Sequence, residues 1–175
     1  MVGLCRSWLV AWPLVPAHPD EARAIYQAYR DSFRDHRGYV EEPFETGFRR
    51  WRHVNEEDPD FDPTLWFVAL DGARIAGFAI CKPTTTDDPD AGWIHQLGVP
   101  RDWRRQGLGH ALLLHCFGAF YRRGKARAAL MVDATSLTGA TRLYEKAGMH
   151  VVRQHVTYQQ ELRPGRDLST QTHAD

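Results

Sequence analysis

The stretch Arg104-Arg-Gln-Gly-Leu-Gly109 joins a strand-like run, Trp93 to Val99, to a long apolar helix that begins near Leu108. Two glycines let the backbone turn tightly and approach a ligand closely. The first N–H groups of a helix have no intrahelical partner, and the helix dipole adds a partial positive charge there. The stretch therefore predicts a phosphate-binding turn, although a turn that needs glycine only for steric reasons would read the same way.

A second informative stretch follows downstream. Residues 128 to 132 form an apolar run of strand length, and a helix follows with Thr138 as its N-cap and Gly148 at its end. Leu143 and Ala147 give this helix an apolar stripe four residues apart. Tyr144 lies beside that stripe.

The same reading of hydrophobic periodicity and turn residues predicts a mixed α/β order. One domain is expected over residues 1–163, followed by a polar, disordered tail over 164–175. The predicted elements are a strand at 8–15, helices at 20–34 and 44–54, strands at 65–70, 74–82 and 92–99, a helix at 108–123, a strand at 127–133, a helix at 138–147 and a strand at 149–162.

Composition excludes several classes of protein. The chain has 175 residues, with 22 basic and 22 acidic side chains, so no overall basic field favours nucleic acid or an anionic membrane. Its 3 cysteines argue against a disulfide framework and favour a reducing cytoplasm. No stretch reaches membrane-spanning length. His110 and His115, five apart on a helix, do not share a face, and no metal site is expected.

Four elements taken together carry a family resemblance. They are Gln96-Leu-Gly-Val-Pro100, Arg104 to Gly109, Val132-Asp133 with Ser136, and the helix from Gly139 to Met149. Their order and spacing resemble those of GNAT-type N-acetyltransferases, especially the lineage of mycothiol synthase, over roughly residues 92 to 160. The resemblance implies a GNAT-like, largely antiparallel twisted sheet of about six or seven strands flanked by about four helices. It also implies acetyl-CoA as cosubstrate.

The resemblance assigns the cofactor contacts. Arg104 and Arg105 would add charge to the pyrophosphate turn, and the pantetheine amides would pair with the strand edge at Leu97 and Val99. Gly98 fits a bulge or a close backbone approach, or is simply a weak point in the strand. Many relatives have Asn where this chain has Ser136, which could instead only start the following helix. The implied cofactor residues are Leu97, Val99, Arg104, Arg105, Gln106, Gly107, Leu108, Gly109, His110, Ser136 and Tyr144.

The implied chemistry is direct attack of a neutral amine on the thioester. The backbone N–H of Val99 would stabilise the oxyanion, and Tyr144 would protonate the departing thiolate. Without the family, Tyr144 reads as an aromatic packed on the helix stripe. The base is left open between His95, whose unperturbed pKa is suitable, and Glu42, beside Glu41 before Pro43.

The acceptor is expected to be an amine of a small molecule or of a protein. The segment from Phe44 to Trp51, rich in aromatics and arginine, either shapes the acceptor pocket or forms an ordinary amphipathic helix. No nucleic acid or membrane partner is expected, and the chain is a monomer or a homodimer. The alternative function is a non-catalytic module that binds acyl-CoA, or one half of a tandem acetyltransferase.

Overall fold

A five-stranded sheet lies at the centre of the fold, and α-helices cover both of its faces. The computed structural model describes residues 13–36, 38–133 and 140–165. The strands lie side by side in chain order, antiparallel from β1 to β4, while β5 runs parallel to β4. The strands are β1 (Leu14–Pro16), β2 (Trp66–Asp71), β3 (Arg74–Lys82), β4 (Ala91–Gly98) and β5 (Arg127–Leu130), and the helices are α1 (Ala22–Phe33), α2 (Phe44–Glu56), α3 (Leu108–Arg122) and α4 (Ala140–Lys146).

The mixed α/β class is confirmed, and most of the predicted elements form near their predicted bounds. The hairpin predicted at Asp71-Gly72 joins β2 to β3, with Gly72 at φ +59°. The strand predicted at 8–15 appears as β1, and residues 1–12 lie outside the described part. β5 is shorter than predicted, and the predicted start of α4 at Thr138 also lies outside that part.

One predicted element is wrong. Residues 149–162 have the composition of a strand but belong to no sheet, and side chains 150–165 are all exposed. A strand is stable only beside a neighbouring strand, because its backbone N–H and C=O groups pair across the ladder rather than within the segment. The sheet described here therefore has five strands rather than about six or seven. The tail predicted at 164–175 lies outside the described part from residue 166 on.

The two faces of the sheet bury separate cores. On one face, α1 and α2 pack aromatic side chains against β2 and β3. On the other face, α3 inserts leucines against the small residues of β3 and the apolar residues of β4. The first core includes Ile25, Tyr26, Phe48, Trp51, Trp66, Val68, Phe78 and Ile80, and the second includes Phe67, Ala79, Ile94, Leu108, Leu112, Leu113 and Phe120.

Two further findings concern the buried cysteines and the length of the helices. Cys81 and Cys116 lie buried between β3 and α3 with their sulfurs 3.6 Å apart, and both thiols are free. Within residues 13–36, 38–133 and 140–165, no helix combines the length and the apolar character needed to cross a membrane.

Candidate active site

The loop before α3 has a backbone conformation suited to an anion. Arg105 lies at φ +61° and Gly107 at φ +85°, both in the left-handed region, and α3 begins directly after them at Leu108. Residues alternating between left- and right-handed conformations turn successive N–H groups into one concavity. No side chain caps the start of α3, so its first N–H groups stay available for a ligand. Arg105 is a non-glycine residue in a costly conformation, which is typical of functional sites.

The two glycines of the loop have different roles. A Cβ built on Gly107 would meet nothing within 4 Å, so Gly107 serves the backbone conformation and leaves open space beside it. A Cβ on Gly109 would lie 3.3 Å from Leu143 and 3.8 Å from Val99. Gly109 therefore lets the start of α3, the end of β4 and helix α4 meet at one point.

Arg104 does not point its guanidinium at the anion turn as the sequence predicted. Its Nε donates to the backbone oxygen of Val99 at 3.0 Å, Nη1 to Asp35 at 2.8 Å and Nη2 to the backbone oxygen of Ser32 at 2.8 Å. Arg101 pairs with the same Asp35 carboxylate, and the two arginines hold its pKa below the ordinary value. Arg104 thus ties the end of β4 to the end of α1 and acts as a positioning residue.

The two residues after Arg104 differ in whether their side chains form hydrogen bonds. The side chain of Gln106 donates to the backbone oxygen of Asp102 at 3.1 Å. Arg105 is exposed and has no hydrogen bond or ion pair within the described residues. Two arginines of the loop are predicted to contact phosphate. Of these, only Arg105 has a guanidinium without a partner among the described residues. Ser136, also predicted to bind the cofactor, lies outside the described residues.

A groove opens between β4 and β5 beside this loop. The two strands pair from Ala91 with Arg127 to Ile94 with Leu130, and beyond that point β4 pairs with β3 alone among the strands that the structure describes. Among the described residues, the backbone at Leu97 and at Val99, which follows β4, therefore pairs with no strand on the β5 side. An extended amide-bearing chain can pair with such an edge.

The bulge of β4 lies at His95 rather than at Gly98. At Gly98 the backbone lies close to the ring of Phe78. Ile80 pairs with Gln96 and Cys81 with Ile94, so His95 is the extra residue. A Cβ on Gly98 would stand 2.5 Å from the ring of Phe78, so a larger residue would not fit there. The bulge thus comes directly after Ile94, the last residue of β4 that pairs with β5.

Tyr144 lies on α4, partly buried against the α3 core. The adjacent Leu143 touches Gly109, which brings the tyrosine's helix to the phosphate turn. Burial raises the pKa of Tyr144 above 10.0. The phenol therefore stays protonated at neutral pH, as a proton donor must.

The structure gives each of the two predicted bases charged neighbours of its own, away from Val99. His95 faces Lys82 and Asp58, which form an ion pair at 2.5 Å, and it lies four residues, or about 13 Å, before Val99 along the strand. Burial, and then Lys82, lower the pKa of His95. Glu42 is paired with Arg50 and lies against Gly47 of α2. Among the residues that the structure describes, neither side chain forms a hydrogen bond or ion pair with Val99 or with the α3 loop.

His36 is a residue that the sequence reasoning missed. It follows α1, half-buried, with its ring edge-on to Phe33 at 4.6 Å between centroids. It interacts electrostatically with Arg104 and with Asp133, three residues beyond the last pair of β5. Because Arg104 is bonded to the Val99 carbonyl and Asp133 follows β5, the charges that act on His36 come from the segments after both strands. Only the folded loop brings these residues together, so no sequence motif could reveal it.

Trp51 is part of the core rather than an open pocket wall. It is 6% exposed, and its Nε1 donates to Gln96 at 3.1 Å. Gln96 donates in turn to Asn55 at 3.2 Å, and Asn55 to the backbone oxygen of Trp51 at 2.7 Å. This closed set of buried bonds fastens α2 to β4. Any influence of Trp51 on an acceptor therefore passes through Gln96. No group of three metal-binding side chains occurs among the described residues.

Comparison with known proteins identifies the family. The family model described as Acetyltransferase (GNAT) family matches residues 22–149. The chain belongs to the GNAT acetyltransferase family. The resemblance read from the sequence is thereby confirmed, and the fold class agrees with it.

Three relatives of this GNAT chain illustrate its similarities. A mycothiol acetyltransferase of Thermobifida fusca (strain YX) is 34% identical over 110 residues, 59% of this chain and 34% of that protein. The ribosomal protein bS18 alanine N-acetyltransferase of Escherichia coli (strain K12) is 34% identical over 86 residues, 49% of this chain and 55% of that protein. The crystal structure of a GCN5-related N-acetyltransferase from Sphaerobacter thermophilus is 38% identical, with a TM-score of 0.71, and the match covers 90% of this chain and 47% of that one.

The GNAT chain thus matches only a part of these relatives. It spans 34% of the Thermobifida protein and 47% of the Sphaerobacter chain. Those relatives contain further sequence to which this chain has no counterpart in the match. The activities in their names are therefore guides to a proposal rather than properties of this chain.

Proposed function

We propose that this GNAT protein transfers an acetyl group from acetyl-CoA to the primary amine of a small molecule or a protein, by direct attack in a ternary complex. The observation that carries the proposal is the meeting of three parts at Gly109. The uncapped start of α3, the end of β4 and the helix of Tyr144 converge there. The proposed pyrophosphate site, strand edge and proton donor would thus lie close together.

The residues present fit the cofactor. The N–H groups of Leu108, Gly109 and His110 would hold the pyrophosphate, with Arg105 adding a charge-assisted contact. The open space beside Gly107 admits the ligand close to the backbone. The free edge of β4 at Leu97 would bind the pantetheine amides. Arg104 fixes the loop relative to β4 and α1 through its three bonds.

Acetyl-CoA supplies the thioester whose C–S bond breaks as the new C–N bond forms. The backbone N–H of Val99 would stabilise the negative charge on the carbonyl oxygen. Tyr144 would donate its proton to the leaving thiolate, and burial keeps the phenol protonated beforehand.

For the base we propose His36 in preference to His95 and Glu42. Its position by the ends of β4 and β5 supports this role, because an amine that attacks at Val99 must approach there. Burial and then Arg104 lower the pKa of His36, while Asp35 and Asp133 oppose that shift. The imidazole is thus neutral and can accept a proton at neutral pH, and the two carboxylates would stabilise the imidazolium that forms.

The acceptor is proposed only as a class. One relative is named for mycothiol and another for a protein alanine, so both small-molecule and protein amines fit the family. We also propose a cytoplasmic location, because the 3 cysteines argue against a disulfide framework.

One observation favours a second function. The chain spans 34% and 47% of two relatives, so it could serve as a non-catalytic acyl-CoA module or as one half of a tandem acetyltransferase. The presence of Tyr144 on α4 supports the catalytic reading, since binding alone needs no proton donor.

The test combines calorimetric binding of acetyl-CoA with thiol release in the presence of a panel of small amines and peptide N-termini. We expect binding, and amine-dependent thiol release with at least one acceptor. Binding without turnover on any acceptor would support the module instead. Absence of binding would contradict both functions.

A further inference from the structure

The hydroxyl of Ser32 is buried and has no hydrogen-bond partner among the described residues. Ser32 lies in the last turn of α1 and is 3% exposed. A buried hydroxyl that stays unpaired costs free energy, and buried polar groups in folded proteins are nearly always paired. An alanine would fill the same space without that cost, so packing alone does not account for the serine.

The hydroxyl faces the end of β4 rather than its own helix. A serine inside a helix commonly donates to the carbonyl four residues earlier, here that of Ala28, but Ser32 makes no such bond. Its oxygen lies 2.9 Å from the position of a Cβ built on Gly98, the last residue of β4. The ring of Phe78 lies 2.5 Å from the same position. A side chain at position 98 would therefore displace the hydroxyl from the backbone of β4.

The backbone of Ser32 is joined to the same segment through Arg104. The carbonyl oxygen of Ser32 accepts from Nη2 of Arg104 at 2.8 Å, and Nε of the same guanidinium donates to the Val99 oxygen at 3.0 Å. The end of α1 thus contacts Gly98 through the hydroxyl and Val99 through Arg104. Of these two contacts, the one made by the hydroxyl lacks a hydrogen bond.

Under the proposed function, the backbone at Leu97 and Val99 pairs with an amide-bearing chain. We propose that Ser32 is a positioning residue for this pairing, and that its hydroxyl gains a hydrogen bond to the backbone beside Gly98 when the ligand binds. The inference rests on the proposed function, because it takes the ligand of this strand edge to be CoA. A group that is unpaired in the free protein and paired in the complex favours the complex by the difference.

The same bond would act on the proposed oxyanion donor. Gly98 directly precedes Val99, so a hydrogen bond beside Gly98 would fix the direction of the Val99 N–H, which must point at the thioester oxygen. The free protein carries a small instability at Ser32 that binding removes. Such a local cost is typical of residues that are kept for function rather than for stability.

Calorimetric titration with CoA and thermal melts of the free protein test this role. Ser32→Ala should bind CoA about five- to a hundredfold more weakly than the wild type, yet melt at or above the wild-type temperature. Alanine leaves no polar group unpaired and favours a helix, so the weaker binding would not reflect a less stable fold. A lower melting temperature would show that the hydroxyl is already paired in the free protein and would overturn the proposal.

Thr85→Val is the matched control, because it also removes one hydroxyl with little change of shape. The Thr85 hydroxyl has a partner, the backbone oxygen of Asp88 at 3.3 Å, in the loop between β3 and β4. This variant should melt below the wild type and bind CoA with unchanged affinity. A loss of affinity equal to that of Ser32→Ala would contradict a specific role for Ser32.

Hydrogen exchange with and without CoA locates the effect along the chain. The amides of Gly98 and Val99 should gain less protection from CoA in Ser32→Ala than in the wild type. Equal affinity and equal protection in the two proteins would overturn the role of Ser32 and leave the proposed function intact. A wild type that binds no CoA would refute the proposed function itself, and this inference with it.

Discussion

The two faces of the sheet differ in how their functional residues are specified. On the α3–α4 face, the phosphate turn, Gly109 and Tyr144 come from two short continuous stretches whose local conformation defines their role. On the α1–α2 face, the groups near the groove come from distant segments, joined by Arg104, Asp35 and His36. Under the proposed function, the cofactor would be bound by a local motif, whereas the acceptor site would be assembled by tertiary contacts.

The largest effect is expected on the acceptor face. His36→Gln should lower kcat/KM by about 10²- to 10⁴-fold, because the attacking amine loses its proton acceptor. Wild-type activity should fall as pH drops through the pKa of His36, which lies below 6.5. The variant should lack that acidic limb and retain wild-type affinity for CoA.

His95→Gln is the matched control for His36, and pH–rate profiles of both variants are the measurement. The groups that face His36 are Asp35, Arg104 and Asp133, and those that face His95 are Lys82 and Asp58. If His95→Gln or Glu42→Gln removes the limb while His36→Gln keeps it, the base assignment to His36 is wrong.

The second largest effect is expected on the α3–α4 face of the sheet. Tyr144→Phe should reduce turnover by about ten- to a thousandfold, since the thiolate then leaves without its proton donor. Its packing against the α3 core should survive, because only the hydroxyl is removed. Steady-state kinetics with a fixed acceptor measure the change, and unchanged turnover would assign Tyr144 to packing alone.

Substitutions of the glycines in the loop before α3 are expected to weaken CoA binding. Gly107→Ala places a side chain at φ +85°, and Gly109→Val drives a side chain against Leu143. We expect each to weaken CoA binding by about ten- to a hundredfold, the equivalent of one or two charge-assisted hydrogen bonds.

Gly124→Ala provides the control for Gly107→Ala in calorimetric titrations. Gly124 also has a left-handed backbone, at φ +72°, with no atom within 4 Å of a built Cβ, but it lies at the other end of α3. It should cost similar stability without loss of affinity. Equal affinity losses in the two alanine variants would show that the turn acts through folding alone.

The smallest effect is expected on thermal stability, from the ion pairs of Asp35 with Arg101 and Arg104. Asp35→Asn should lower Tm by about 5 °C, because Arg101 and Arg104 lose their shared carboxylate. The folded pKa of Asp35 is lowered below 3.8, so the wild-type contribution is present above that pH and is lost as pH falls through the folded pKa.

Asp31→Asn is the control for Asp35→Asn, since Asp31 lies in α1 just before Asp35 and its partners are local, Gln27 at 3.1 Å and Arg34 at 3.8 Å. Thermal melts at pH 7 and near pH 3 make the comparison. A variant that melts with the wild type at both pH values would remove Asp35 from the proposed link.

Prediction from sequence succeeded where neighbours in the chain are neighbours in space. The α3 turn, the hairpin at Gly72 and the amphipathic α1 depend on local backbone and side-chain periodicity, and all three form as expected. It failed for Arg104, whose charge suggests a phosphate ligand but whose guanidinium instead joins Ser32, Asp35 and Val99. A long side chain finds its partner by tertiary proximity, which no spacing rule encodes.

The sequence by itself determined the family, the mixed sheet and the glycine turn before α3, because glycine conformation and helix-end chemistry act over a few residues. Only the tertiary structure decided which charges surround His36, where β4 leaves β5, and that residues 150–162 join no strand of the described part. Those properties depend on residues that meet across the fold, and their energies arise only after the chain has closed on itself.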